Sequence, residues 1–250
     1  MKKKSFKAII SSDWNECLAP CQPFDHIKFN YPELTPDVTT IFEEYTSNKI
    51  LLGKANERIK KLLPEPISIQ QMDAYLDDCF KTYNGVPDLI EWSLSNNILF
   101  MINTTGYMGY FQRVFAKKLL PQVPVISANP MTRYATLKTD PPRMYDLKEI
   151  EDKSKNTESV VQSFCISAEK AILIGDSGGD GPHFEWGAKQ RAFLIGSMTK
   201  PSLSNYCSNN DIEINFRFGP QYDQGEEKNQ EKEKLLDFMA LSSVIDIALE

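Results

Sequence analysis

Short apolar runs recur along the chain, and each stops abruptly at polar side chains. Ala8-Ile9-Ile10 runs into Ser11-Ser12-Asp13-Trp14-Asn15. Ile98 to Ile102 (ILFMI) runs into Asn103-Thr104-Thr105-Gly106, and Ala171 to Ile174 (AILI) runs into GDSGGDG, residues 175 to 181. Val123 to Ser127, Ala192 to Ile195 and Ile212 to Phe218 complete the set. Continuous apolar runs of this length suit strands buried on both faces, as in a parallel sheet.

The stretches between them carry helical spacing. Thr35-Pro36-Asp37 is a helix start, with Thr35 as N-cap, and a second helix is expected over 49 to 63. Ser68 caps a segment whose Ile69, Met72, Leu76, Cys79 and Phe80 share one face, and Gly85-Val86-Pro87 opens another helix. Residues 18 to 34, rich in Pro and aromatic residues, read as a loop, so that 18 to 95 contains no strand. Strand-helix alternation then resumes, with a short β pair expected around 134 to 138. Residues 223 to 234 (charged, QGEEKNQEKEK within them) are expected to be solvated, ahead of a last helix carrying Leu235 to Ile247. This order predicts an α/β, Rossmann-like parallel-sheet core from residues 1–19 and 96–250, with a helical cap domain, 20–95, inserted after the first strand.

Composition narrows the function classes. The 250 residues are 41% hydrophobic and 25% charged, ordinary for a globular chain, and the net charge of −6 gives no reason to expect nucleic acid or a membrane surface as partner. The basic start MKKKSFK leads into Ser11, Ser12 and Asp13 before any signal-peptide core develops, and no run approaches the roughly 18 apolar residues of a membrane span. Five scattered cysteines, with no second Cys/His pair beside Cys17 and Cys21, read as free thiols in a reducing cytoplasm.

The chemistry lies at the strand ends, since open parallel sheets bind ligands outside the carboxyl ends of their strands. Asp13 and Asp176 both end a strand, and Asp180 sits one helical turn beyond Asp176. Carboxylates converging there form a hard-oxygen site suited to Mg²⁺. The bland alternative is that Asp176 and Asp180 only cap a helix.

These residues carry a family resemblance. Ser12 to Leu18 (SDWNECL), Asn103 to Tyr107 (NTTGY), a lysine at 153 or 155 ahead of the Asp176 strand, and Gly175 to Asp180 (GDSGGD) stand in order over most of the chain. The pattern resembles that of haloacid dehalogenase superfamily phosphohydrolases with a helical cap in the first insertion position, in the phosphoserine-phosphatase-like layout. The resemblance implies a phosphatase acting on a small phosphorylated metabolite through an aspartyl-phosphate. Asp13 would be nucleophile. Mg²⁺ would be held by Asp13, Asp176, Asp180 and the Asn15 backbone carbonyl. Thr104, with Thr105 and Gly106, would meet the phosphoryl group. Lys155, with Lys153 as runner-up, would neutralise it.

Two departures qualify that picture. The family's general acid/base Asp is replaced by Asn15, and an amide does no acid/base work near neutral pH. The usual Thr is Cys17. The chain is thus expected to be a phosphohydrolase of reduced or specialised turnover or, in the alternative, an impaired phosphoester-binding or regulatory protein on the same scaffold. A metal-independent dehalogenase is disfavoured by Asp176 and Asp180, and nothing marks a cap lysine for Schiff-base chemistry. Phe24, His26, Phe29, Tyr31, Tyr45, Arg58, Tyr75 and Tyr83 are cap side chains with the chemistry to face a substrate. Arg133, Arg143 and His183 are weaker candidates.

Overall fold

The computed structural model describes residues 5–226 and 228–250, with Gln230 as backbone only. Met1 to Lys4, in the signal-like start, and Glu227, in the charged stretch, lie outside the described residues. The elements run β1 (Ala8–Ser12), α1 (Asp25–Asn30), α2 (Thr35–Thr46), α3 (Leu52–Leu62), α4 (Ile69–Cys79), α5 (Val86–Ser95), β2 (Ile98–Tyr107) and α6 (Met108–Ala116). They continue with β3 (Val125–Asn129), β4 (Arg143–Asp146), α7 (Asp152–Phe164), β5 (Ala171–Gly175), α8 (Gly181–Lys189) and β6 (Phe193–Ser197). The last are α9 (Pro201–Asn209), β7 (Phe216–Phe218), α10 (Gln230–Glu233) and α11 (Leu241–Leu249).

Among the described residues the strands form one parallel sheet, ordered β4-β3-β2-β1-β5-β6-β7. This is the expected α/β, Rossmann-like core. Side chains alternate across it. Ile10, Phe100, Ile102, Ile172 and Ile174 pack into one core, while Ile9, Leu99, Met101, Leu173 and Leu194 pack into another on the opposite face. Helices α7 and α8 lie on the second face. Helix α5 lies on the first, against β2 and α11, so the last helix of the insert packs on the sheet.

Helices α1 to α4 pack on one another, and α4 packs on α6. Ser68 caps α4 as expected, in a capping box closed by Gln71. The residue that caps α2 is Leu34 rather than Thr35, which lies inside the helix with Pro36. The expected loop contains α1, and the strand expected near 134–138 is replaced by β4, the sheet edge at 143–146. Hydrophobic runs locate central strands well and edge strands poorly, because an edge strand such as β4 is only half-buried. No described helix is long and apolar enough to cross a membrane.

Candidate functional site

Strands β2, β1, β5 and β6 are neighbours, so their carboxyl ends deliver Thr104 and Thr105, Asp13, Asp176 and the Met198 to Lys200 turn to one place. Asp13 is pinned immediately after β1 by its backbone N–H, which donates to the Ile174 carbonyl at 2.9 Å. The chain then folds tightly back. The Trp14 carbonyl accepts from Cys17, Leu18 and Ala19, and Glu16 adopts a left-handed backbone at φ 56°. Trp14 anchors the turn, buried against Phe80, Tyr110 and Phe111.

The carboxylates of Asp13, Asp176 and Asp180 are buried and each offers an oxygen within 4.8 Å of the others. Lys153 closes the inner side, its Nζ 3.1 Å from Asp13 Oδ1 and 2.5 Å from Asp180 Oδ1. Asp180 Oδ2 accepts from the Asp176 and Ser177 backbone N–H groups at 3.0 and 3.3 Å. Asp180 therefore does cap a helix start, and it serves the cluster as well. A Cβ at Gly175 would sit 2.5 Å from the Asp180 carboxyl carbon, so glycine is required for that approach.

Burial pushes the Asp13 carboxyl up to about 7, against the pull of Lys153 and with help from Asp180 and Asp176. Burial also opposes charge on Lys153, but Asp13 and Asp180 more than offset it and hold the ammonium above the ordinary lysine range. The donor set fits Mg²⁺. It consists of hard oxygens only, and Asp176 Oδ1 is buried with no partner, which a buried carboxylate oxygen tolerates poorly unless a cation is close.

Lys153, not Lys155, is the lysine of the site. Lys155 is exposed and pairs with Asp152 at 2.9 Å, whereas the lysine beside Asp13 is Lys153. Helical rotation is the reason. Lys153, Thr157, Val160 and Val161 form the buried face of α7, and Lys155 lies two residues, about 200°, away.

Asn15 commits its amide locally. Its Oδ1 accepts from Thr104 Oγ1 at 3.0 Å, and its Nδ2 donates to the Cys21 carbonyl at 3.3 Å. A Cβ at Gly106 would lie 2.8 Å from that Oδ1, so Gly106 makes room for Asn15. The Thr104 hydroxyl is fully buried and also accepts from the Gly106 N–H, while Thr105 lines the open cleft above Asp13.

Other expected contributors fall elsewhere. His183 is buried beneath the site on Thr157 Oγ1, at 2.9 Å, and burial lowers it to about 3. Arg133 pairs with Asp146 and Arg143 covers the Phe164 ring. Of the eight side chains expected to face a substrate from the inserted helices, Tyr45 alone lines the cleft.

A second cluster escaped the sequence reading. Lys200 Nζ lies 2.8 Å from both Asp176 Oδ2 and Glu16 Oε2. Lys228 Nζ donates to the Glu16 carbonyl at 3.0 Å and lies 3.8 Å from Asp176 Oδ2 and 3.6 Å from Glu233. Glu233 is buried and accepts from Tyr83 and Tyr222. The charged stretch is therefore only partly solvated. Lys200 lies three residues beyond the end of β6, on the same carboxyl edge of the sheet as Asp13. Nothing local marks Lys228.

This architecture defines a class. The chain has the phosphoserine-phosphatase-like fold of haloacid dehalogenase phosphohydrolases. It is similar to a solved phospho-aspartyl intermediate analogue of phosphoserine phosphatase, with TM-score 0.67 over 96% of this chain and 99% of that one, at 15% identity. A substrate-bound phosphoserine phosphatase complex gives 0.66 over 97% and 99%, at 14% identity. A haloacid dehalogenase family hydrolase, t0658 from Salmonella enterica subsp. enterica serovar Typhi, gives 0.67 over 98% of this chain and 73% of that one, at 16% identity. No family model and no curated protein matches the sequence.

Proposed function

We propose that the chain is a Mg²⁺-dependent phosphohydrolase of small phosphomonoesters, cytoplasmic, with Asp13 as nucleophile. The core is 1–19 and 96–250, and 20–95 is its cap, whose last helix, α5, packs back on the sheet. The observation that carries this reading is the cluster itself: three buried carboxylates within 4.8 Å of one another, with a buried lysine 3.1 Å from Asp13 Oδ1.

Each residue has a physical task. An Asp13 oxygen attacks phosphorus and displaces the alcohol oxygen, giving an aspartyl-phosphate that water later hydrolyses. Lys153 offsets negative charge on the nucleophile and on the phosphoryl oxygens as they meet. Thr105, on the cleft wall, offers its hydroxyl and backbone to the phosphoryl group. Asp13, Asp176, Asp180 and the Asn15 carbonyl would hold Mg²⁺, which supplies electrostatic stabilisation of the transferring phosphoryl group.

Asn15 sets the rate. It neither donates a proton to the leaving alkoxide nor takes one from water. Its engagement by Thr104 and Cys21 favours a second reading, a phosphoester-binding protein in which turnover has been lost.

Phosphate release from a phosphomonoester panel, with and without Mg²⁺, separates the two. Slow Mg²⁺-dependent release is expected, rising by about 10²–10⁴-fold in Asn15→Asp, the usual worth of a general acid/base. Release only in Asn15→Asp would select the binding protein. Undiminished release in Asp13→Ala would overturn the mechanism.

A further inference from the structure

The cleft above Asp13 has walls that the phosphoryl chemistry leaves unused. Its volume is about 450 Å³, room for much more than a phosphate. All of its charge sits on the floor, in Asp13, Glu16, Lys153 and Lys200. Both lysines are already engaged: Lys153 by Asp13 and Asp180, Lys200 by Glu16 and Asp176.

The walls are neutral. Asn205, Tyr206 and Asn209 line the cleft from one face of α9, at spacings of one, three and four residues. Facing them, Phe42 and Tyr45 come from α2 and Asn48 from just beyond its end. The side-chain amides of Asn48, Asn205 and Asn209 make no hydrogen bond among the described residues. Burial raises the Tyr45 phenol, and the Tyr206 phenol is pushed up to about 12, so neither ring is charged near neutral pH.

Free amides and aromatic faces suit one kind of organic group. An amide both donates and accepts, as does a sugar hydroxyl. A ring face covers the apolar side of a sugar. A phosphoamino acid would bring an ammonium and a carboxylate to walls that offer neither of them a counter-charge.

We propose that the cleft selects phosphomonoesters whose organic part is a neutral sugar, free or within a nucleoside, and disfavours phosphoamino acids. The proposal rests on the phosphomonoester reading of the Asp13 site. It departs from what the named substrate of the structurally similar phosphatases would suggest.

Isothermal titration calorimetry of the full chain in Mg²⁺ tests it, with inorganic phosphate, ribose 5-phosphate, uridine 5′-monophosphate and phosphoserine as probes. Binding does not depend on turnover, so Asn15 does not obscure the result. At least one of the two sugar-bearing probes is expected to bind tenfold or more tightly than phosphoserine. Which one it is distinguishes a free sugar from a nucleoside. The double variant Asn205→Ala/Asn209→Ala, on an exposed helix face, is expected to weaken that probe about thirtyfold, since it removes two hydrogen bonds worth about 1 kcal/mol each. Inorganic phosphate should bind it as before. Phosphoserine binding as tightly as the better sugar probe, or unchanged sugar binding in the double variant, would overturn the specificity alone. Absence of inorganic phosphate binding would remove the phosphomonoester reading and this proposal with it.

Discussion

Two lysine–carboxylate clusters meet at the carboxyl edge of the sheet, and they are built to different standards. The inner one, Asp13, Asp180 and Lys153, is almost sealed, with the Lys153 side chain 2% exposed. Backbone N–H groups fix Asp180, and the rigid β1 end fixes Asp13. The outer one, Glu16, Asp176, Lys200, Lys228 and Glu233, joins residues from four separate stretches. Its lysines keep contact with water, at 26% and 17% exposure, and Asp176 Oδ1 has no partner. The inner cluster holds geometry, because a buried ion pair is costly to rearrange. The outer cluster balances charge, with cations placed where they are able to swing away.

The largest effect should follow from breaking the inner cluster. Lys153→Met leaves Asp13 and Asp180 buried with no cation. Removing one partner of a buried pair costs about 3–5 kcal/mol. Urea unfolding followed by circular dichroism measures it. A loss below about 1 kcal/mol, the range of an exposed pair, would show that the inner cluster is not the fixed unit described.

Acid reads the ground beneath that cluster. His183 is held near 3 by burial first and by Lys153 second, so it is neutral when folded and takes up a proton on unfolding below its ordinary value of 6.5. With the folded value depressed, the unfolded state binds more protons between about 3 and 6.5. His183 therefore contributes stability that is complete above 6.5 and declines as pH falls, by at most about 1.4 kcal/mol per pH unit. His26, lowered by burial in the same way, adds a similar slope from α1. His183→Asn should lower the slope by up to about 1.4 kcal/mol per pH unit in chelator-containing buffer, leaving the His26 contribution and the opposing one of Asp13, whose carboxyl burial raises to about 7. An unchanged slope would mean that the imidazole is not neutral in the fold.

The same contrast explains what could be read beforehand. The inner carboxylates were legible because each terminates or closely follows an apolar run, and strand ends in a parallel sheet converge by topology. The choice between Lys153 and Lys155 was also legible, in the 153, 157, 160 spacing of α7, but a local scan for a lysine near a helix start overlooks helical phase. The outer cluster was mostly hidden. Lys228 and Glu233 lie in a run whose composition signals solvent, and only tertiary contact with Tyr83, Tyr222 and Glu16 draws them in. The edge strand β4 and the short α1 carry too little periodic pattern to announce themselves.

Breaking the outer cluster should cost less and test the proposed Mg²⁺ site. Lys200→Met leaves Asp176 and Glu16 with Lys228 as their remaining near cation. The partly exposed pair should be worth about 1 kcal/mol. The informative quantity is the response to Mg²⁺, which stabilises by about 2.7 kcal/mol at a hundred times its Kd. If Lys200 competes for Asp176, thermal unfolding with and without Mg²⁺ should show a lower metal-free Tm and a larger Mg²⁺-induced rise in the variant. A smaller rise would make Lys200 a support of the site rather than a counter-ion that yields to the metal.

The smallest effect is expected at Lys155, and it isolates the inner cluster most cleanly. Lys155 and Lys153 have the same side chain two residues apart on one helix. Lys155 is 68% exposed and makes only an i,i+3 pair with Asp152. Such surface pairs contribute about 0.5 kcal/mol or less. Lys155→Ala should therefore leave both urea stability and inorganic phosphate affinity within about twofold of the starting protein, while Lys153→Met, where it remains folded, should weaken phosphate strongly. If calorimetry instead shows phosphate affinity falling in Lys155→Ala and holding in Lys153→Met, the anion sits outside the Asp13 cluster, and the contrast between a fixed inner cluster and a yielding outer one loses its functional meaning.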